Sequence, residues 1–173
     1  RDGSKGDALW EHLMAVGGPM GLHPGHTSSI RRIEAAMLSY HADMTLENNP
    51  FELGMDRLVD LDMAADFVSK AALKRIKAAG VSQYQVGITI DGPPITGSND
   101  ENWPVLSNDT IVGKITSAVQ SPRLGKNIAL ALVAADHAAT GTMVSIDMAG
   151  DLRQAEIVPK PFFDPKKTLA AKG

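Results

Sequence analysis

The sequence predicts an α+β fold in which helices come first and an antiparallel β-barrel follows. Three observations predict it. Before Gly80, apolar residues recur at helical spacing in three stretches. From Tyr84 to Ile90 they alternate instead with Gln85, Gly87 and Thr89. Beyond that strand, short apolar runs are separated by Gly, Pro and Asn turns, the pattern of a sandwich or barrel. The change of period places a boundary near residue 80, dividing the chain into residues 1–80 and 81–173.

Ser4 and Asp7 form a capping pair expected to open the first helix. Leu9, Trp10, Leu13 and Val16 give its apolar stripe, and Gly17-Gly18-Pro19 ends it with a left-handed glycine cap. Pro24-Gly25 makes the stretch from Gly21 to His26 a loop. Thr27 or Ser28 caps a second short helix with Ile30, Ile33 and Met37 on one face. Asn48 to Pro50 mark a turn. Asp66 is the expected N-cap of a third helix, with Ala64, Phe67, Val68, Ala71 and Ile76 as its buried stripe and Gly80 as its stop. Tyr84 to Ile90 reads as a half-buried strand. Further strands are expected at 110–118, 128–133, 143–148 and 155–158.

The balance of charge excludes some classes of function. Net charge is −3, so no basic excess draws the chain to nucleic acid or anionic lipid. No apolar run is long enough to span a bilayer. With no cysteine there is no disulfide, thiolate metal site or Cys nucleophile, which fits a reducing, cytoplasmic setting. Arg1 to Gly6 lack the apolar core of a signal peptide, and the absence of an initiator Met reads as a processed or cut chain.

Four segments in order carry a family resemblance. They are Ile30 to Tyr40 followed by Asp43; Asn49 to Met55 followed by Val59 to Asp62; Asp66 to Leu73; and Gly113 to Ala118 followed by Ser121 to Leu130. The tail Val158 to Pro165 fits as well. In this order and spacing the chain resembles the carboxy-terminal part of the glycine-cleavage T-protein family. Within it, the Asn49 to Asp56 and Ser121 to Asn127 runs look most like the dimethylsulfoniopropionate demethylase branch. The aminomethyltransferase branch usually has glycine after the tyrosine, whereas here Tyr40 is followed by His41.

The resemblance implies a tetrahydrofolate-dependent one-carbon transferase that moves a methyl or aminomethyl unit from a small sulfonium or amine donor. It implies that residues 1–80 are the carboxy-terminal portion of the tetrahydrofolate-binding α/β domain and 81–173 the barrel domain. It places the catalytic carboxylate on an upstream half of the protein, expected as a second, non-covalently held chain, and expects this portion alone to be inactive. A non-catalytic folate-binding or assembly module of a multidomain dehydrogenase is the rival. The iron–sulfur relatives carry a cysteine in the segment matching Asp66 to Lys70, and this chain has none.

Two residues are singled out for tetrahydrofolate. One carboxylate can accept the paired donors of a pterin, and the resemblance gives that role to Glu34. Tyr40 would stack on or hydrogen-bond the ring, an ordinary core-edge tyrosine being the plain alternative. Asp43 and His41 would line the same opening. Other features have plainer readings. His23 and His26 flank a Pro-Gly turn without zinc spacing, and Glu52 either faces the substrate pocket or caps the next turn. Arg123 and Lys126 could attract the anionic glutamate tail of folate, with solvated cations as the plainer reading, and the eight Met residues fill gaps in the core. Asn108-Asp109-Thr110 fits a glycosylation pattern with nothing to indicate secretion.

Overall fold

The computed structural model describes residues 3–25, 28–97, 99, 101–166 and 168–169. Helices α1 (Gly6–Gly17), α2 (Ser29–Glu34) and α3 (Lys70–Ala79) precede the barrel. Its strands are β1 (Gln83–Ile90), β2 (Pro104–Ser107), β3 (Thr110–Ser121), β4 (Lys126–Ala134), β5 (Met143–Met148) and β6 (Asp151–Val158). They close antiparallel in the order β1-β4-β3-β2-β5-β6. The expected architecture, helices first and a barrel after, is the one found.

The barrel encloses a core of Val86, Ile88, Ile90, Val105, Ile115, Ala118, Ala131, Ile146 and Ile157, among others. Small Ala side chains alternate with branched ones, which suits the narrow interior of a six-stranded barrel. Two hairpins use two-residue turns with both central residues left-handed: Asn108 (φ 47°) with Asp109 (φ 63°), and Ala149 (φ 55°) with Gly150 (φ 94°). That backbone matches the twist of the strands it joins, so the Asn108 sequon forms the tip of the β2–β3 hairpin. Strand β2 escaped the sequence reading. It is four residues long, starts at a proline and buries only Val105.

A second apolar cluster lies outside the barrel wall. Ile128 and Leu130 of β4 pack there with Ile33 of α2, and Leu38, Leu124 and Phe162 cover them. Strand β4 is consequently buried on both faces. The same holds for much of β1, which is therefore not the half-buried strand its alternation predicts. Gly87 shows why. A Cβ there would meet Phe162 Cζ at 3.0 Å and the Val158 carbonyl oxygen at 3.1 Å. Its lack of a side chain lets the segment after β6 lie flat across β1.

Several local expectations are corrected. Helix α1 starts at Gly6 with Lys5 at its N-cap and no side-chain cap hydrogen bond there. The left-handed glycine is Gly21, after a 3₁₀ turn over Gly18–Met20, because Gly18 stays right-handed. Ser28 caps α2, accepting from the Arg31 amide at 3.4 Å, while Thr27 and His26 lie outside the described residues. Met37 falls beyond α2 and is exposed. Helix α3 begins at Lys70, with Ser69 as N-cap at φ 72°. Asp66 instead accepts from the Phe67 amide, and Val68 is 93% exposed. Two lysine bonds explain the late start, since Lys70 Nζ donates to the carbonyls of Met63 and Ala65 and braces a non-helical 63–69. No methionine belongs to the buried core, though Met148 packs against it from the edge.

Candidate functional site

Two carboxylates tie the helical segment to the barrel, and both are almost fully buried: Asp43 at 1% and Glu34 at 3% exposure. Asp43 sits in the turn after α2. Its Oδ2 accepts from Arg32 Nη1 at 2.5 Å and from the Ser39 amide at 2.8 Å. Its Oδ1 accepts the hydroxyls of Thr116 at 2.6 Å and Ser117 at 2.7 Å. Adjacent strand residues normally point to opposite faces. Here the register against β4 shifts between Ile115 and Ser117, so Thr116 is the extra residue of a β-bulge. The bulge turns both hydroxyls outward onto one oxygen while Ile115 and Ala118 remain in the core.

Arg32 completes this knot. It donates also to the Met37 carbonyl at 3.0 Å and to Ser117 Oγ at 2.8 Å. Three of its hydrogen bonds therefore hold protein groups, out of the five N–H donors a guanidinium offers. Arg32, Ser29 and Ile33 line a cavity of about 360 Å³ against Thr116, Ala118 and Val119 of β3.

Glu34, the residue expected to receive a pterin, is engaged inside the protein. Its Oε1 accepts from Ser121 Oγ at 2.6 Å and its Oε2 lies 3.7 Å from Arg123 Nη1. Its backbone carbonyl accepts from the amides of Phe162 and Phe163 at 3.0 and 3.1 Å. Arg123 in turn stacks 4.1 Å over the Phe163 ring, so it is more than a solvated cation. Glu34 thus joins α2, the β3–β4 turn and the strap that follows β6. It does not line the cavity beside Arg32. One hydrogen bond and one long ion pair use only part of the about four lone-pair sites of the Glu34 carboxylate.

Tyr40 differs. The residue is 48% exposed, and its ring meets the His41 ring edge to face at 4.3 Å. The structure therefore separates the two residues singled out together: Glu34 points into a joint and Tyr40 presents a face. Glu52 caps its own turn, accepting from Asn48 Nδ2 at 3.2 Å and the Asn49 amide at 3.4 Å.

Thr116, Ser117, Lys160, Arg32 and Ser121 take part without a role assigned from the sequence. Two adjacent hydroxyl residues between Ile115 and Ala118 were the available signal for the first two. Lys160, on the strap, donates to Gln85 Oε1. Burial lowers its pKa to about 8 against the raising field of Asp43.

Fold and site define a class: a closed antiparallel barrel whose bulged wall carries a helix–turn segment through buried carboxylates. Residues 84–164 match the glycine cleavage T-protein C-terminal barrel domain, and residues 2–63 match the GCVT N-terminal domain. The chain therefore belongs to the glycine-cleavage T-protein family. An aminomethyltransferase from Synechococcus sp. is 38% identical over 159 residues, covering 91% of this chain and 42% of that protein. One from Rippkaea orientalis is 37% identical over 163 residues, covering 94% and 42%. One from Symbiobacterium thermophilum is 36% identical, covering 90% and 41%. The glycine cleavage system aminomethyltransferase T of Bartonella henselae superposes with a TM-score of 0.71 at 20% identity, over 79% of this chain and 38% of that one, a likeness of fold. The chain spans less than half the length of the curated relatives it matches. Among the described residues no helix is long and apolar enough to cross a membrane.

Proposed function

We propose that this chain is the barrel-bearing portion of a tetrahydrofolate-dependent one-carbon transferase of the aminomethyl type. One observation carries the reading. Its helical segment and its barrel match the two family domains in order, and relatives that share both are aminomethyltransferases at 36–38% identity. Tetrahydrofolate, when bound, supplies the nitrogen that receives the one-carbon unit. The exposed ring of Tyr40 offers a stacking face for it. Arg32, fixed by Asp43, brings a positive charge to the cavity beside α2. No step is assigned to Glu34.

A second reading, a demethylase of a sulfonium such as dimethylsulfoniopropionate, has its own observation. His41 has a φ of 73°, where the aminomethyltransferase branch usually has glycine. Methyl transfer from a sulfonium expels a neutral thioether, so alignment and exclusion of water would supply most of the rate. On either reading the upstream half completes the enzyme. The apolar stripe of α1, with Leu9 at 60% and Trp10 at 52% exposure, is the surface proposed to receive it. Ile33, by contrast, is already buried against the barrel.

The test joins this chain to the upstream region of a relative and assays one-carbon transfer to tetrahydrofolate. Aminomethyl and sulfonium donors are compared. Turnover with the first supports the primary reading and with the second its alternative. Saturable tetrahydrofolate binding without turnover of any donor points to a non-catalytic module, and no binding at all removes the reading.

A further inference from the structure

Lys126 and Thr89 stand where two cavities meet on the outside of the barrel. Lys126 is exposed and opens β4, directly after the β3–β4 turn. Arg123 of that turn is engaged by Glu34 and the Phe163 ring, whereas among the described residues Lys126 takes part in no ion pair. On one side of it lies an apolar cavity of about 270 Å³, walled by Leu124, Ile128, Val158, Pro159 and Phe162. These walls are fixed from behind. Ile128 is fully buried, and Leu124 and Phe162 pack with it in the cluster outside the barrel. The Phe162 amide donates to the Glu34 carbonyl at 3.0 Å, and its ring lies over Gly87. An apolar pocket held in this way needs little ordering to accept a ligand.

On the other side lies a polar cavity of about 230 Å³. Asp91 borders it and, among the described residues, also takes part in no ion pair. The Asn127 amide there is spent on the protein: its Nδ2 donates to the carbonyls of Ile90, Gly92 and Pro93, and its Oδ1 accepts from the Ile95 amide. Lys126 is the cation among the described residues that line either cavity. A cation at the mouth of an apolar pocket, with an acidic wall beyond it, complements an amphipathic monoanion. We propose that this site binds a small aliphatic carboxylate, its hydrocarbon tail in the apolar cavity and its head group at Lys126 and the Thr89 hydroxyl. Asp91 sets the charge and the direction. A phosphate monoester carries more than one negative charge at neutral pH, and the surplus over Lys126 would face Asp91. A tail turned into the polar cavity would desolvate Asp91 without a partner. The site shares no lining residue with the cavity beside Arg32, and Tyr40 lies outside it. It therefore goes beyond the one-carbon transferase reading and does not depend on it.

The experiment titrates hexanoate into the chain, following the heat of binding and the methyl resonances of Leu124 and Ile128. Three comparators divide the recognition: acetate lacks the tail, 1-hexanol lacks the charge, and hexyl phosphate carries too much of it. Hexanoate should bind saturably and about tenfold or more tighter than each of them. Lys126→Met keeps the stem and removes the charge, so it should weaken hexanoate about tenfold and leave 1-hexanol unchanged. Thr89→Val keeps the shape and loses the hydroxyl, and should weaken hexanoate about fivefold. Leu124→Gln should weaken hexanoate and 1-hexanol alike, with melting temperatures as the control on folding. Tetrahydrofolate should leave hexanoate binding unchanged. No saturable response to hexanoate, equal binding of 1-hexanol, tighter binding of hexyl phosphate, or unchanged hexanoate affinity in Lys126→Met overturns the proposal. Displacement of hexanoate by tetrahydrofolate overturns it as well, because the cavity would then belong to the folate site.

Discussion

Asp43 accepts the hydroxyl of Thr116 at 2.6 Å across 73 residues of sequence, and the bulge against β4 is what aims Thr116 outward. Removing the charge of a buried, fully bonded carboxylate leaves its partners unpaired. Asp43→Asn puts an amide donor against Arg32 and the Ser39 amide, and should destabilise the protein by about 3 kcal/mol or more. Thr116→Val removes one hydroxyl and should cost about 1 kcal/mol. Chemical denaturation of both variants checks the ordering. Equal losses would mean that Asp43 is not the centre of the knot.

Glu34→Gln separates a joint from a pterin acceptor. As a joint, the amide keeps an acceptor for Ser121 but turns a donor toward Arg123. Stability should fall by about 1–2 kcal/mol, while any tetrahydrofolate affinity changes less than about twofold. A pterin acceptor would behave the other way, losing on the order of tenfold in affinity with stability intact. Calorimetric titration and urea melts, run on the same samples, decide between them.

Lys160 gives stability a pH dependence. Its folded pKa is about 8 against the ordinary lysine value of 10.5. Below about 8 it carries its proton in both states, and its contribution is flat. Between about 8 and 10.5 the unfolded chain holds the proton and the folded protein does not, so stability should rise with pH across that window. Lys160→Met should abolish the rise without moving the rest of the profile. The difference between the two melting curves from pH 7 to pH 10.5 measures it, and parallel curves would refute it.

Gly87→Ala tests the strap. The new methyl would sit 3.0 Å from Phe162 Cζ and 3.1 Å from the Val158 carbonyl oxygen. The ring can move, but the carbonyl belongs to the β1–β6 pairing. A loss of about 1–3 kcal/mol is expected, together with amide shifts at Phe162 and Phe163, whose N–H groups donate to Glu34. An unperturbed spectrum at those two amides would show that Gly87 does not seat the strap.

The sequence by itself determined the order of the architecture and the family. The change from helical spacing to alternation at Gly80 follows from the local geometry of side chains on helix and strand, and five of the six strands were visible in it. Buried strands covered from both sides were not distinguishable from half-buried ones. Whether Phe162 lies on Gly87 is decided by a segment some 75 residues away. Glu34, Tyr40 and Asp43 were all legible as candidates, because the residue types and their spacing around α2 are local facts. Their roles were not. A carboxylate on a short helix reads the same whether it faces a ligand or Ser121, since the difference lies in what the fold carries to it. Only the tertiary structure brought the Thr116 bulge, the Ser121 hydroxyl and the strap at Phe162 onto that helix. It surrounded the Asp43 carboxylate with four internal donors, tied Glu34 to Ser121, and left the Tyr40 and His41 rings exposed or beside open space.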